Sequence, residues 1–498
     1  MLGAFSTAIL ALAIATGIWK DAIIATVDSK GFAGIFLLTI PLAIVIPVFA
    51  LVFFLLRGRF CSDSWWYRPP LPFIILLGIS ARIILAIVCF EPYYLQPDSG
   101  TYLDLSNLNF SHRVPGYPLF IEIIVRIVGS RSPQLLFPAI VIAQSLVGLA
   151  ALCLFFYILR RLLKYETIVV VLSCVFATLP YIISWERTLL TESLALFQAV
   201  LLIFLLTEYF LRPSPFRAFL LGVFTIPAIF TRPSFVGLLA VLFVLFLSHL
   251  FTTKPGRQSI IHGFAGLGVA CLVLAGYVYM NGQLYGRPVL TDVSHNNQVT
   301  ILIFNKLYHN DAYPEAVALI RKGIIDEKKS GLKVAKSLAE TFGYEHASKY
   351  RRDTLYLHRN RYLSYTFRKF ADLTNKDIGC LSSPVSGWVQ QTLINTYNSN
   401  LFFFTFGQVW GMVLLELAIL LYFLCRCRLL LWQSLFICLL IIVISLTSIM
   451  GGYGAFERLA VCLIPLTIIL AGLLLEHLIC SLSGAKNRAM LRFAARLR

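Results

Sequence analysis

The sequence has few charged residues. Of its 498 residues, 13% are charged and 58% are hydrophobic, whereas soluble domains have about 25% charged and about 45–50% apolar residues. This composition excludes a water-soluble globular protein, a collagen-like fibre and an intrinsically disordered chain. The net charge of +18 alone would suggest a nucleic-acid partner, but the hydrophobicity argues against one, and no nucleic acid is expected to bind.

Signatures of nucleotide, metal and hydrolase chemistry are also missing. The sequence contains no Walker loop, dinucleotide fingerprint, HExxH or GxSxG motif, and no Asp-x-Asp pair. Its histidines are scattered singly, so a metal site is not predicted. Nucleotide sugars and ATP are therefore not expected as substrates. No cofactor is predicted, although a divalent metal stays an open alternative.

Long apolar runs dominate the sequence. The hydrocarbon core of a bilayer is about 30 Å thick and needs about 20 mostly apolar residues in a helix. The predicted fold class is therefore an all-α polytopic membrane protein with about twelve transmembrane helices and a mainly helical extracytoplasmic loop domain. The candidate spans are 2–19, 31–56, 71–90, 133–159, 166–183, 189–211, 216–231, 234–251, 259–280, 401–424, 429–450 and 457–479.

The basic residues predict the orientation. Short cytoplasmic loops carry an excess of Lys and Arg. With both termini inside, the cytoplasmic segments hold seventeen of the 42 basic residues, while the short connections on the opposite side hold five. Much of the positive charge is therefore a topology signal. We expect an integral multi-pass protein of the bacterial cytoplasmic (inner) membrane.

The spans and loops define the predicted domains. Two N-terminal helices (1–56) precede a transmembrane core (57–280) with a first extracytoplasmic loop at 91–132. An extracytoplasmic, mostly helical domain (281–400) follows, then C-terminal transmembrane helices (401–480) and a basic cytoplasmic tail (481–498). The 281–400 domain is interpreted as a lid on the membrane face, with simple interfacial anchoring of its basic and aromatic side chains as the alternative.

The first outside loop holds the most informative polar residues. Pro97 precedes Asp98, a helix-start pattern, and a helix beginning there places Asp98 and Tyr102 on one face. A plain N-cap is the alternative role for Asp98. Arg113 comes just before a Pro- and Gly-rich turn, and 117–129 is predicted to lie in the membrane interface as an amphipathic helix.

Other outside turns bring further charges to the same depth. They carry Glu186, Arg187 and Glu192, then Arg232, then Arg458. Each residue alone is explained by anchoring or by a buried ion pair. Four turns with Arg at one depth instead suggest an anion site, and the anion at that depth is a lipid phosphate. Arg82 lies within a span and must face the bundle or a wet cavity.

These features, in this order, resemble the GT-C superfamily of membrane glycosyltransferases over about residues 71–480. The residues that carry the resemblance are Asp98, Arg113 with Pro115-Gly116-Tyr117-Pro118-Leu119-Phe120, Glu186 to Glu192, Thr231-Arg232-Pro233, and Phe456-Glu457-Arg458 followed by Ile464-Pro465-Leu466. The chain looks most like the bacterial branch with lipid A aminoarabinose transferases and, more distantly, protein O-mannosyltransferases. Many relatives have Asp-Glu where this sequence has Asp98-Ser99.

The resemblance implies inverting transfer of a sugar from a polyprenyl-phosphate carrier to a lipid, glycan or protein acceptor at the extracytoplasmic face, in cell-envelope glycan synthesis. By analogy Asp98 is the general base. Arg113, Arg458, Arg232 and Arg187 then bind the donor phosphate. Acceptor-binding or supporting roles fall to Tyr102, Tyr117, Glu186 and Glu192.

Two other functions fit a multi-span protein with arginines at one membrane face. A lipid-linked sugar flippase or other transporter needs polar residues through the midplane and broken helices in symmetrical halves, and these spans are mostly Leu, Ile, Val and Phe. A polyprenyl-glycan polymerase or ligase would use its large outside loop as the main catalytic element. The transferase is the function favoured by the sequence.

Overall fold

The computed structural model describes residues 71–88, 93, 95, 98–103, 112–252, 257–364, 461–473 and 475–476, and these are mostly helical, with no β-strand among them. The predicted spans 2–19, 31–56, 401–424 and 429–450, like the tail 481–498, lie outside these residues. The helices are α1 Leu71–Val88, α2 Gly100–Leu103, α3 Gly116–Val128, α4 Pro133–Leu162, α5 Glu166–Thr178, α6 Pro180–Glu186, α7 Glu192–Leu211, α8 Pro215–Val223, α9 Thr225–Thr231, α10 Gly237–Thr252, α11 Arg257–Tyr285, α12 Val293–Phe304, α13 Pro314–Arg321, α14 Gly331–Phe342, α15 Tyr344–Leu357 and α16 Ile464–Leu473.

Three of these helices, α4, α7 and α11, are long and apolar enough to cross a membrane. They have 30, 20 and 29 residues, and a helix rises about 1.5 Å per residue. The other apolar helices in the described part of the chain, α1, α5, α8–α9, α10 and α16, are shorter. Within the described residues the protein is thus mostly helical with three candidate spans, and the total of about twelve stays a prediction.

The apolar helices share one core. Helix α4 packs against α7, α1 and α5, and α8 lies along α11. The α8–α11 contact depends on two glycines: a Cβ at Gly266 would lie 2.3 Å from the carbonyl oxygen of Phe219, and one at Gly222 would lie 2.6 Å from the nitrogen of Leu267. The two backbones therefore touch directly at this crossing.

Prolines end helices earlier than the hydropathy pattern predicts. The predicted span 166–183 is broken at Leu179, which is extended (φ −65°, ψ 110°) before Pro180, because a residue that precedes proline is disfavoured in the helical conformation. The predicted spans 216–231 and 234–251 are separated at Arg232-Pro233, as expected: Arg232 is extended, and Pro233–Val236 forms a 3₁₀ turn. The apolar run 166–183 is therefore divided between two helices, and the run 216–251 is interrupted at Arg232-Pro233.

Helices α12 to α15, with the turns between them, form a small unit with its own hydrophobic core. It is called the α12–α15 unit below (residues 293–357). As predicted for the mostly helical 281–400 domain, helices continue to residue 364, with interruptions at the π-helical turn Lys322–Asp326, at Gly343 (φ +79°) and at a turn at His358. The core residues are Val299, Ile303, Tyr313, Ala316, Ile320, Val334, Ala335, Leu338, Ala339, Ala347 and Tyr350.

Candidate functional site

Asp98 and Arg113 form an ion pair beside the short helix α2. Nη2 of Arg113 donates to Oδ1 of Asp98 at 3.1 Å, and Nε donates to Oγ1 of Thr101 at 2.9 Å. The guanidinium also lies over the ring of Tyr102, 4.7 Å from its centroid, while Nη1 donates to the Tyr102 hydroxyl at 3.3 Å. Asp98 and Tyr102 therefore contact the same cation, as expected for residues on one helix face.

Tyr117 connects this pair to the helix bundle. Its ring meets that of Tyr102 edge-on, with centroids 5.3 Å apart, and its hydroxyl donates to Oε1 of Gln144 at 2.6 Å. Nε2 of Gln144 then donates to the backbone oxygens of Glu186 and Thr188, at 2.8 and 2.9 Å. The Gly-rich turn before α3 is thereby fixed against the turn that follows α6.

Glu186 lies in a buried ion pair with Arg82. Nε of Arg82 donates to Oε2 of Glu186 at 2.7 Å, Nη2 donates to Oε1 at 2.5 Å, and Nη1 donates to the carbonyl of Gly78. Both side chains are buried. Arg82 thus faces the bundle, as the cost of exposing a cation to lipid requires. Because Glu186 is buried, it supports the turn after α6 and does not face the surface from which a substrate would approach.

A second buried pair joins the turn before α10 to the start of α7. Nη2 of Arg232 lies 3.5 Å from Oε1 of Glu192, and Nη1 lies 3.6 Å from Sγ of Cys462. Glu192 is also within electrostatic range of the Tyr117 hydroxyl. Arg187 is buried at the end of α6. The buried pair is one of the two alternatives that the sequence left open for Arg232.

The structure therefore brings four of the predicted site residues into one connected group: Asp98, Tyr102, Arg113 and Tyr117. The Asp98 side chain is 44% exposed and that of Arg113 is 13% exposed, so an incoming molecule can reach the carboxylate. Glu186, Arg187, Glu192 and Arg232 are buried around this group. Arg458 lies outside the described residues.

Sequence reasoning missed a second cluster, formed by His112, Arg287 and Asp292. Nδ1 of His112 lies 2.6 Å from Oδ1 of Asp292, and Nη1 of Arg287 donates to Oδ2 of Asp292. Burial favours the neutral acid, but the hydrogen bonds and charges of His112 and Arg287 outweigh it and hold the pKa of Asp292 below its usual value. The only sequence signal was the position of His112 directly before Arg113.

His295 lies beside this cluster, in the first turn of α12. It is 1% exposed, and neither of its ring nitrogens has a hydrogen-bond partner in the structure. Its ring contacts Tyr344, with centroids 5.2 Å apart. Burial and then the charge of Arg351 lower the pKa of His295 to about 4. The imidazole is therefore neutral at pH 7.

Within the described ranges, no group of three or more His, Cys, Asp or Glu side chains is placed to hold a metal ion. The expectation that the protein uses no cofactor, with a divalent metal as the alternative, stays a prediction.

The chain matches no known protein family, and no curated protein matches it.

Proposed function

We propose that this protein is an inverting glycosyltransferase of GT-C type, a multi-pass enzyme with about twelve spans in a bacterial inner membrane. It transfers a sugar from a polyprenyl-phosphate carrier to an acceptor at the extracytoplasmic face. The observation that carries the proposal is the partly exposed Asp98 carboxylate, held by Arg113 at the edge of an apolar helical bundle. The positive-inside distribution of basic residues supports a position of this pair at the outer face.

In the proposed reaction, Asp98 accepts the proton of the acceptor hydroxyl as that oxygen attacks the anomeric carbon. The bond from the anomeric carbon to the phosphate oxygen breaks, and the polyprenyl phosphate leaves with the electron pair. Because attack and departure occur on opposite faces in one displacement, the anomeric configuration inverts. The donor brings its own leaving group, so the protein has to supply only a base, cations and a dry groove.

Arg113 is the proposed ligand of the departing phosphate. Its three nitrogens contact Asp98, Thr101 and Tyr102 with one N–H each. A guanidinium has five N–H donors. The contacts with described residues use three of them, so two are left to bind phosphate oxygens. Charge-assisted bonds of this kind strengthen as the leaving group gains charge.

The other predicted site residues act on the phosphate through their charge or hold the residues that contact it. Arg187 supplies positive potential near the phosphate, and the sequence assigns the same role to Arg458. Arg232 adds a smaller contribution, because Glu192 lies 3.5 Å from its guanidinium and offsets part of its charge. Tyr102 and Tyr117 hold Arg113 and the turn before α3. Glu186 and Glu192 balance the charges of Arg82 and Arg232.

The proposal is tested with purified full-length protein, a panel of polyprenyl-phosphate sugars and a panel of lipid, glycan and protein acceptors, by following release of the carrier phosphate. Asp98→Asn removes the base and is expected to lower kcat at least about 100-fold with donor binding nearly unchanged. Arg113→Ala is expected to weaken donor binding as well, by about 10-fold to 100-fold, because it removes charge-assisted hydrogen bonds.

Asp311→Asn is the matched control, since Asp311 is exposed in the segment between α12 and α13 and is expected to leave turnover unchanged. Full activity of Asp98→Asn would show that Asp98 is not the base. If the wild-type protein releases no carrier phosphate with any pair of donor and acceptor, the transferase proposal is wrong.

A further inference from the structure

The α12–α15 unit is attached to the Asp98–Arg113 pair through one residue of the first loop. His112 contacts Asp292, the N-cap of α12, at 2.6 Å. The adjacent Thr291 donates from Oγ1 to the backbone oxygen of His112 at 2.8 Å. Both the side chain and the main chain of His112 are therefore held by the residues immediately before α12.

Asp292 is itself fixed. Its side chain is buried, Oδ1 accepts from His112, and Oδ2 accepts from Arg287, which lies just beyond the end of α11. An ionised carboxylate only accepts hydrogen bonds, so Nδ1 of His112 carries the proton in this contact. Hydrogen bonds with an ionised partner are about twice as strong as neutral ones, which makes this a firm attachment.

The residue after His112 is Arg113, whose guanidinium contacts Asp98, Thr101 and Tyr102. Consecutive Cα atoms are 3.8 Å apart, so a displacement of His112 moves the backbone of Arg113 with it. The described contacts hold Arg113 from two sides: from Asp98 and α2 through its own side chain, and from Asp292 through its neighbour.

We infer that His112 and Asp292 are positioning residues for Arg113, and that through them the α12–α15 unit sets the geometry of the donor-phosphate site. The positioning role rests on the proposed function, whereas the attachment of residue 112 to Asp292 does not. A misplacement of about 1 Å at a reacting group can cost about 100-fold in rate, so a loosened Arg113 should weaken donor binding strongly.

The first experiment measures the attachment without any substrate. Hydrogen exchange of the backbone amides of residues 112–114 and 116 is compared between the wild-type protein, His112→Ala, Asp292→Ala and His112→Asn. Exchange is expected to become at least 10-fold faster in both alanine variants. His112→Asn is expected to retain protection, because the Asn amide nitrogen can occupy the position of Nδ1 and donate to Asp292. Unchanged exchange in both alanine variants would overturn the attachment.

The second experiment measures binding of a short polyprenyl phosphate to the same variants. His112→Ala and Asp292→Ala are expected to bind about 10-fold to 100-fold more weakly, with His112→Asn close to wild type. His346→Ala is the matched control: His346 contacts the carboxylate of Glu315 at 3.1 Å within the α12–α15 unit and should change neither readout.

A double-mutant cycle separates positioning from general damage. If His112 acts through Arg113, the double variant His112→Ala/Arg113→Ala should bind no more weakly than Arg113→Ala alone. Multiplied losses, or faster exchange with unchanged binding, would overturn the positioning role. A wild-type protein that binds no polyprenyl phosphate would overturn it together with the proposed function, and the exchange data would still decide the attachment.

Discussion

Gly148 shows how a single missing side chain makes room for a buried charge. A Cβ built at this position would lie 1.9 Å from Oε1 of Glu186 and 2.9 Å from Nη2 of Arg82. The ion pair therefore packs directly on the backbone of α4. Separating the partners of a buried ion pair lowers stability by about 3–5 kcal/mol. The Arg82–Glu186 pair therefore depends on the absence of a side chain at residue 148.

Gly148→Ala is expected to lower the free energy of unfolding by about 3–5 kcal/mol, because it forces the two charges apart. The measurement is a denaturant titration of the full chain in detergent. Gly268→Ala is the matched control, since a Cβ on that glycine of α11 meets no atom within 4 Å. That variant should gain up to about 1 kcal/mol from helix propensity. Equal stability of the two variants would contradict the packing argument.

His295 predicts a pH dependence of stability. The unfolded chain binds a proton at this histidine below pH about 6.5, whereas burial, Arg351 and Arg287 lower the pKa in the folded protein to about 4 against the opposing charge of Asp292. Between these values the unfolded state holds more protons. Stability therefore falls as the pH is lowered through this window, on the order of 3 kcal/mol in full.

The prediction is checked by denaturant titrations at pH 7.5 and pH 4.5 on the wild-type protein and His295→Phe. Phenylalanine keeps the ring contact with Tyr344 and cannot titrate, so the loss on acidification should be smaller than in the wild type. His346→Phe, at an exposed histidine, should lose stability on acidification much as the wild type does. An identical pH dependence of His295→Phe and the wild type would count against the lowered pKa.

At the scale of elements, helix α3 has the surface of an interfacial helix. It buries Tyr117, Ile121 and Ile124 against the bundle, while Leu119, Ile123 and Ile127 form an exposed apolar row at four-residue spacing. Exposed apolar rows of this kind are typical of helices that lie in the membrane interface. Since α3 follows Arg113 directly, its depth determines the depth of the candidate site.

The depth of α3 is tested with single tryptophans and brominated lipids, by measuring quenching in excess of the parent chain. Ile127→Trp should be quenched more than Arg126→Trp, although the side chain of Arg126 and residue Ile127 are both 79% exposed. The reason is that the apolar row, which includes Ile127, is expected to face the lipid tails, whereas Arg126 is expected to face water. Similar quenching of the two variants would place α3 in water.

The sequence predicts features that depend on neighbouring residues better than contacts between distant parts of the chain. Local signals predicted α3 within one residue at each end and the break at Arg232-Pro233, because proline and apolar periodicity act on neighbours in the chain. The cost of a buried charge predicts that Arg82 faces the bundle, but it does not identify Glu186 as its partner. The contact of His112 with Asp292 spans 180 positions, and no local pattern specifies such a distance.

For the whole molecule, the central question is which side of the membrane each connection faces. The positive-inside rule predicts that the connection at Arg212 lies inside and the α12–α15 unit outside. In this prediction α7 and α11 cross the membrane, and the shorter apolar helices between them, α8–α9 and α10, either cross as a pair or do not cross. The Asp98–Arg113 pair, joined to that unit through His112, must then face the same side.

Orientation is tested with an impermeant thiol reagent on intact cells, in a background without native cysteines. Lys336→Cys, on the exposed face of α14, should be labelled, whereas Arg212→Cys, exposed at the end of α7, should react only after the cells are permeabilised. The inverse pattern would place Asp98 and Arg113 in the cytoplasm. There an Asp-and-Arg pair would face the compartment of nucleotide-activated sugars, for which this sequence has none of the expected motifs, so the donor class would have to be abandoned with the orientation.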